Sequence, residues 1–382
     1  MTTTAALTRR PALLSGALIR CFIAVIGSSV AFYLPLSVVP LFAEQSGSHG
    51  DAGLATVALL LACVACEMVT PRLMARLGYR WALAIGLTLL GLPTLVLTAG
   101  HSTTAILAVS VLRGAGFAIS AVATNAIGAM LIPAERRAEG LALAGVMSGL
   151  PGLIALPAGV WVATHSGFTP VFVAATIAPL LALLAIPGPP RRHAAAAREE
   201  GVAAALTNPG LVRPALIFAA STAAVGVLVT FLPLAVTGSR TWVVAAALLV
   251  QPAAATATRW IAGRLGDRYG SVRLLTPGLI LSGAGMAALA LTGIPAAVLG
   301  GALLFGMGFG ILQNATLALM YARAPRGGEG AVSAIWNAAY DLGMAAGALG
   351  AGLVVGAIGY PLAFLLTAAV LLPALTLARR ER

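Results

Sequence analysis

Gly263-Arg264-Leu265-Gly266-Asp267-Arg268-Tyr269-Gly270-Ser271-Val272-Arg273 is a short charged turn set between two long apolar runs. It packs Arg264, Asp267, Arg268 and Arg273 together with three glycines. A turn this tight between two membrane helices needs glycine where backbones crowd or φ turns positive. The aspartate suits the exposed N–H groups of a nearby helix start. The arginines suit a cytoplasmic face, where they hold the loop out of the bilayer and meet anionic headgroups.

A worn second copy, Pro71-Arg72-Leu73-Met74-Ala75-Arg76-Leu77-Gly78-Tyr79-Arg80, lies 192 residues earlier, with Arg76 on Arg268 and Gly78 on Gly270. The same offset sets Gly116-Phe117 on Gly308-Phe309, Pro133 on Pro325, and Gly167-Phe168 on Gly359-Tyr360. It is close to half of the 382 residues, which points to a duplicated chain with six spans in each half.

The turn resembles the signature loop of the major facilitator superfamily, Gly-x-Leu-Ala-Asp-Arg-x-Gly-Arg-Arg, which joins the second and third helices and recurs between the eighth and ninth. Gly263, Leu265, Asp267, Arg268 and Gly270 match it, Gly266 replaces the alanine, and the basic pair is reduced to Arg273. The first copy has Ala75 in place of the acid and Pro71 in place of the opening glycine. The resemblance implies an all-α membrane protein of twelve transmembrane helices in two pseudo-symmetric six-helix bundles.

Composition agrees. The chain is 60% hydrophobic and 9% charged, which does not describe a soluble enzyme. A net charge of +12 raises nucleic acid as a partner, but the arginines are scattered over loops between apolar spans, and that reading is set aside. All 23 basic residues are arginine, so a P-loop and a Schiff-base lysine are both excluded. Cys21, Cys63 and Cys66 fall within spans, so no disulfide framework follows; Cys63 and Cys66 share a helix face, where apolar packing outweighs a soft-metal pair. Neither a metal nor a cofactor is expected.

The spans read as about 17–42, 52–74, 79–99, 103–131, 138–163 and 168–187, then 211–236, 241–264, 272–292, 295–321, 330–356 and 359–378. Residues 1–187 would form the first bundle, 188–209 a cytoplasmic linker opened by Pro187-Gly188-Pro189-Pro190, and 210–382 the second bundle. With Arg113 and Arg259 set aside inside spans, the loops and termini split their arginines 20 to 1, Arg240 standing alone on the poorer side. The positive-inside rule then puts both termini in the cytoplasm, for a multi-pass protein of a bacterial cytoplasmic membrane.

Three charges lie inside spans. Asp341 is about 11 residues into the eleventh, roughly 16 Å deep at ~1.5 Å per residue, and Arg113 sits at similar depth in the fourth. Glu67 is nearer the cytoplasmic end of the second and has Arg259 as its repeat mate. A charge at the bilayer centre costs about 2.5–3.5 kcal/mol, so these three should face a cavity or a partner. Asp341 is expected to carry protons with Arg113 setting its affinity, and a fixed ion pair or packing bond stands as the alternative. Glu67 fits a gating pair before it fits a proton carrier. The Arg113-Gly114-x-Gly116 run is similar to the superfamily's fourth-helix motif, whose arginine is associated with proton coupling or substrate charge. Gly145-x-x-x-Gly149-x-Pro151-Gly152 resembles the fifth-helix motif of drug/proton antiporters, with the proline displaced by one residue and the closing glycine pair missing. Spaced glycines let helices approach and prolines bend them.

Asn337, Tyr340 and Asp341 share one broad face by their 3–4 spacing, and Asn125, Gln313 and Asn314 add hydrogen-bonding groups for a solute. Gly263, Gly270, Arg76, Asp267, Arg268, Gly149 and Pro151 are expected to serve gating and shape change. The reading that follows is a transporter of a small amphiphilic solute, working as a monomer among membrane lipids by alternating access, with proton-coupled efflux first. Uptake or uniport of a metabolite comes second. A sensor would carry a soluble domain, and an intramembrane enzyme would need a convergent ligand set that the spans lack.

Overall fold

The computed structural model describes residues 14–45, 51–100, 102–132, 137–186, 206–237, 240–324 and 329–381. The helices are α1 (Gly16–Tyr33), α2 (Val38–Gln45), α3 (Asp51–Leu77), α4 (Tyr79–Gly91), α5 (Thr103–Leu131), α6 (Arg137–Ser166) and α7 (Phe168–Leu183). The second half adds α8 (Pro209–Ala235), α9 (Thr241–Tyr269), α10 (Val272–Leu289), α11 (Pro295–Arg323) and α12 (Glu329–Arg379). No strand occurs among the described residues.

These helices make twelve crossings. Among the described residues ten segments are long and apolar enough to span a bilayer, the first being α1 and α2 together. The last, Val332–Arg379, is 48 residues, about twice what one crossing needs, and it breaks at Gly359. The shorter apolar α7 completes the set. The expected linker at 188–209 lies almost wholly outside the described residues.

The duplication is written into the backbone. Among the described residues the positive-φ positions are Gly78, Gly167, Gly270 and Gly359, two pairs related by the 192-residue offset. Each is a corner between consecutive spans, and no side chain is comfortable there. Two helix crossings repeat as well. Gly86 packs on Gly116 where α4 meets α5, and Gly278 on Gly308 where α10 meets α11. The Leu59 carbonyl fills the space over Gly114, as the Gln251 carbonyl does over Gly306. In lipid, small residues let backbones meet where no hydrophobic force drives helices together.

The first span departs from expectation. It is broken over Leu34–Ser37 into α1 and α2, because Pro35 has no N–H to give the helix. Past the break, α2 turns its Val38, Val39, Phe42 and Ala43 fully inward.

The two bundles meet along α3 with α12 and α6 with α9. The contact is tight on the arginine-poor side. There Gly53 of α3 abuts the Ala348 carbonyl and Gly352 of α12, Thr56 and Thr230 pair at 3.1 Å, and α8 is buried from Ala224 through Leu234. Toward the arginine-rich side the same faces open. On α6 one stripe runs from exposed Gly149 through half-buried Leu153 to buried Leu156, Val160 and Ala163. The fold is a cleft closed at one membrane face and open at the other.

Candidate functional site

The cleft ends at a cluster drawn from both bundles. Helices α3 and α12 run antiparallel, and with Gly53 against Ala348 and Gly352, a rise of ~1.5 Å per residue brings Cys63 level with about Tyr340. Glu67 then lies one turn toward the open mouth. By the same register and helical spacing, Glu67 and Asp341 lie on the stripes of α3 and α12 that face each other. The two carboxylates therefore lie at neighbouring levels where α3 meets α12, and among the described residues neither Glu67 nor Asp341 has an ion-pair partner.

The wall beside Tyr340 is aromatic. Trp336 stacks on Phe218 with ring centres 4.4 Å apart and planes 12° apart, and donates from Nε1 to Thr316 Oγ1 at 3.3 Å. Phe309 lies 6.4 Å from Tyr340 and 6.0 Å from Phe218. On the opposite wall Phe32 stacks on Phe117 at 3.8 Å, and the Tyr33 ring rests on Gly152, where a Cβ would come within 2.9 Å of it.

Arg113 is in this region but turned from it. Its side chain is 1% exposed and donates through Nη2 to the carbonyls of Ala31 (3.3 Å) and Phe32 (3.4 Å). These oxygens lie at the break in the first span. The Ala31 carbonyl is the one Pro35 would have served with an N–H, and Leu36 bonds Tyr33 instead of Phe32. The guanidinium closes the end of α1, and the Cys63 thiol beside it donates to the Gly114 carbonyl at 3.3 Å. Arg113 and Asp341 form no ion pair, the guanidinium bonding the two α1 carbonyls instead.

The remaining sequence-predicted residues scatter. Asn337 is exposed toward the open cleft, one turn from Asp341. Gln313 is half-buried on α11, and Asn314 lies by Gly263, where a Cβ would come 3.5 Å from its Nδ2. Asn125 is exposed near the arginine-rich end of α5, away from the cluster. Gly149 has open space over it, so it is no close-approach glycine; Gly152 under Tyr33 and Gly159 under the Leu34 carbonyl hold α6 to α1. Pro151 is buried and lines an apolar cavity of about 390 Å³ between α1 and α6. Arg76 is exposed, Arg268 lies 5.2 Å over the Tyr269 ring, and the Asp267 side chain lies outside the described residues. Sequence reading misses the seat of Tyr33 on Gly152 and the bond of Cys63 to the Gly114 carbonyl, although the Tyr-Leu-Pro sequence in the first span marks the break beside Tyr33.

A sequence profile of the Major Facilitator Superfamily matches residues 21–258 and 241–382. The chain belongs to the major facilitator superfamily. It is therefore a membrane transporter and not an enzyme. Its fold is similar to that of a point mutant of the nucleoside transporter NupG, with a TM-score of 0.77 over 95% of this chain and 98% of that one at 14% identity. A second NupG structure gives a TM-score of 0.76, 96% and 98% coverage, and 14% identity. No curated protein sequence matches the chain.

Proposed function

We propose that this transporter exports a small cationic amphiphile in exchange for protons, with Asp341 as the principal proton carrier and Glu67 as its partner. The observation that carries the reading is the charge of the cleft. Glu67 and Asp341 lie on facing stripes of α3 and α12, while the guanidinium of Arg113 is held on the Ala31 and Phe32 carbonyls. Two carboxylates in one low-dielectric space resist being ionised together, so a proton or a cationic solute on one favours charge on the other. Aromatic faces at Trp336 and Tyr340 suit the apolar part of such a solute and attract its cation.

On this reading the arginine-rich side is cytoplasmic, both termini are cytoplasmic, and the cleft faces the cytoplasm of a bacterial cell. The bundles rock about the Glu67–Asp341 level, with a monomer as the working unit. Arg113 holds the first span in its broken form, so that α2 can cover the outer mouth.

A second reading is uptake of a planar polar solute. The aromatic wall around Trp336 supports it, as does the likeness of fold to a nucleoside transporter. Binding to the purified chain separates the two. Tetraphenylphosphonium and a nucleoside such as uridine are titrated at two pH values. Cation binding that weakens as protons are added supports export by exchange. Nucleoside binding without cation binding supports uptake.

A further inference from the structure

We infer that Arg264, stacked on Trp260 at the arginine-rich end of α9, is a binding site for the headgroup of an anionic phospholipid. The placement follows from one stripe of α9, Trp242, Leu249, Ala253, Trp260 and Arg264, at spacings of seven and four that keep them on a single helix face. Every member is exposed, including Trp242 (54%) and Leu249 (43%) at the end where the two bundles are sealed together. A face that stays open beside a closed seam looks into the bilayer. The rise from Trp242 to Trp260 is roughly 27 Å at ~1.5 Å per residue, close to the ~30 Å hydrocarbon core. The two tryptophans thus mark its two interfaces, as the aromatic belts of membrane proteins do.

At the arginine-rich interface the stripe ends in a built arrangement. The Arg264 guanidinium lies 3.7 Å over the centre of the Trp260 ring, which is 62% exposed. Stacking fixes the guanidinium plane and leaves its N–H edges outward, the geometry that takes two oxygens of one phosphate. Arg268 follows one turn on, over Tyr269, and Arg273 is exposed at the start of α10. Among the described residues neither Arg264 nor Arg268 has a carboxylate partner. Two ordered cations at headgroup depth, beside exposed Ile261 and Leu265 for the acyl chains, complement a lipid with net negative charge. Diffuse attraction would need the charges alone; the stack makes a site of them.

The test is native mass spectrometry of the purified full chain in detergent, with phosphatidylglycerol and phosphatidylcholine added in equal amounts. Wild type should retain phosphatidylglycerol preferentially. Arg264→Gln should lower the ratio about fivefold, the effect of one arginine near an anionic surface. Trp260→Ala, which keeps both charges, should lower it too, whereas Arg240→Gln at the opposite face should leave it unchanged. Arg264→Lys should restore little, since it keeps charge without the planar stack. Wild-type ratios for Arg264→Gln or Trp260→Ala, full retention by Arg264→Lys, or equal retention of both lipids by wild type would each overturn the site.

Discussion

Arg113 supplies to the first span the hydrogen bond that Pro35 withholds. The proline removes the donor for the Ala31 carbonyl, and the Arg113 guanidinium, from a helix more than eighty residues further along the chain, takes that carbonyl and the next. A buried charge here acts as the end cap of a broken helix. The expected effect of Arg113→Ala is a loss of about 1–3 kcal/mol for each carbonyl left unsatisfied. In a Pro35→Ala background the chain can provide its own N–H, so the same substitution should cost less. Thermal unfolding of the two single variants and the double variant in detergent measures that coupling, and strictly additive effects would contradict the capping role.

The pairing of Thr56 with Thr230 joins the bundles across the arginine-poor side. Thr56→Val should weaken that seal by about 1 kcal/mol, enough for a fivefold shift in population toward the state open on that side. Spin labels at Leu54 and Leu353, both exposed on α3 and α12 at that end, should show a larger fraction of long distances in the variant. An unchanged distribution would mean that the close contact of Gly53 with α12 holds the seal alone.

Gly270 and Gly283 give opposite expectations for the same substitution. Nothing lies within 4 Å of a Cβ built at either, so sterics with neighbours do not decide. Gly270 has φ 85° and ψ 133°, so Gly270→Ala should cost about 1–3 kcal/mol through backbone strain. Gly283 is inside α10 with ordinary helical backbone, and Gly283→Ala should gain about 0.5–1 kcal/mol. Melting temperatures moving in opposite directions would bear this out.

Much of the fold is legible in the sequence because it rests on local chemistry. The 192-residue offset that aligns Gly78 with Gly270 and Gly167 with Gly359 finds the four corners, since only glycine tolerates their backbone. Asp341 stands out by its cost in lipid. Pro35 is plain in the sequence, but the run around it is apolar throughout, and span length hides the break. What could not be read is register between helices. Arg113 and Asp341 have similar depth in the sequence, yet their partners depend on how α1, α3, α5 and α12 are rotated about their axes. Depth alone does not give rotation. The same limit separates Gly149, which packs on nothing, from Gly152 and Gly159, which seat Tyr33 and Leu34.

Orientation in the membrane rests on the arginine split alone, and it has its own check. In a variant free of other cysteines, Gly47→Cys should react with an impermeant thiol reagent added outside cells, and Ala195→Cys should react only after lysis. The reverse pattern would turn the cleft toward the opposite compartment and make the open state an outward-facing one.

Asp341 is proposed to carry the proton that drives the solute. The most direct measurement is solute flux in liposomes containing the purified chain, with and without a pH gradient, for wild type and Asp341→Asn. Wild type should accumulate solute only with the gradient. Asp341→Asn should lose accumulation while still exchanging solute at equal pH, because the neutral amide fixes the protonated form of the site. Accumulation by Asp341→Asn equal to that of wild type would contradict it.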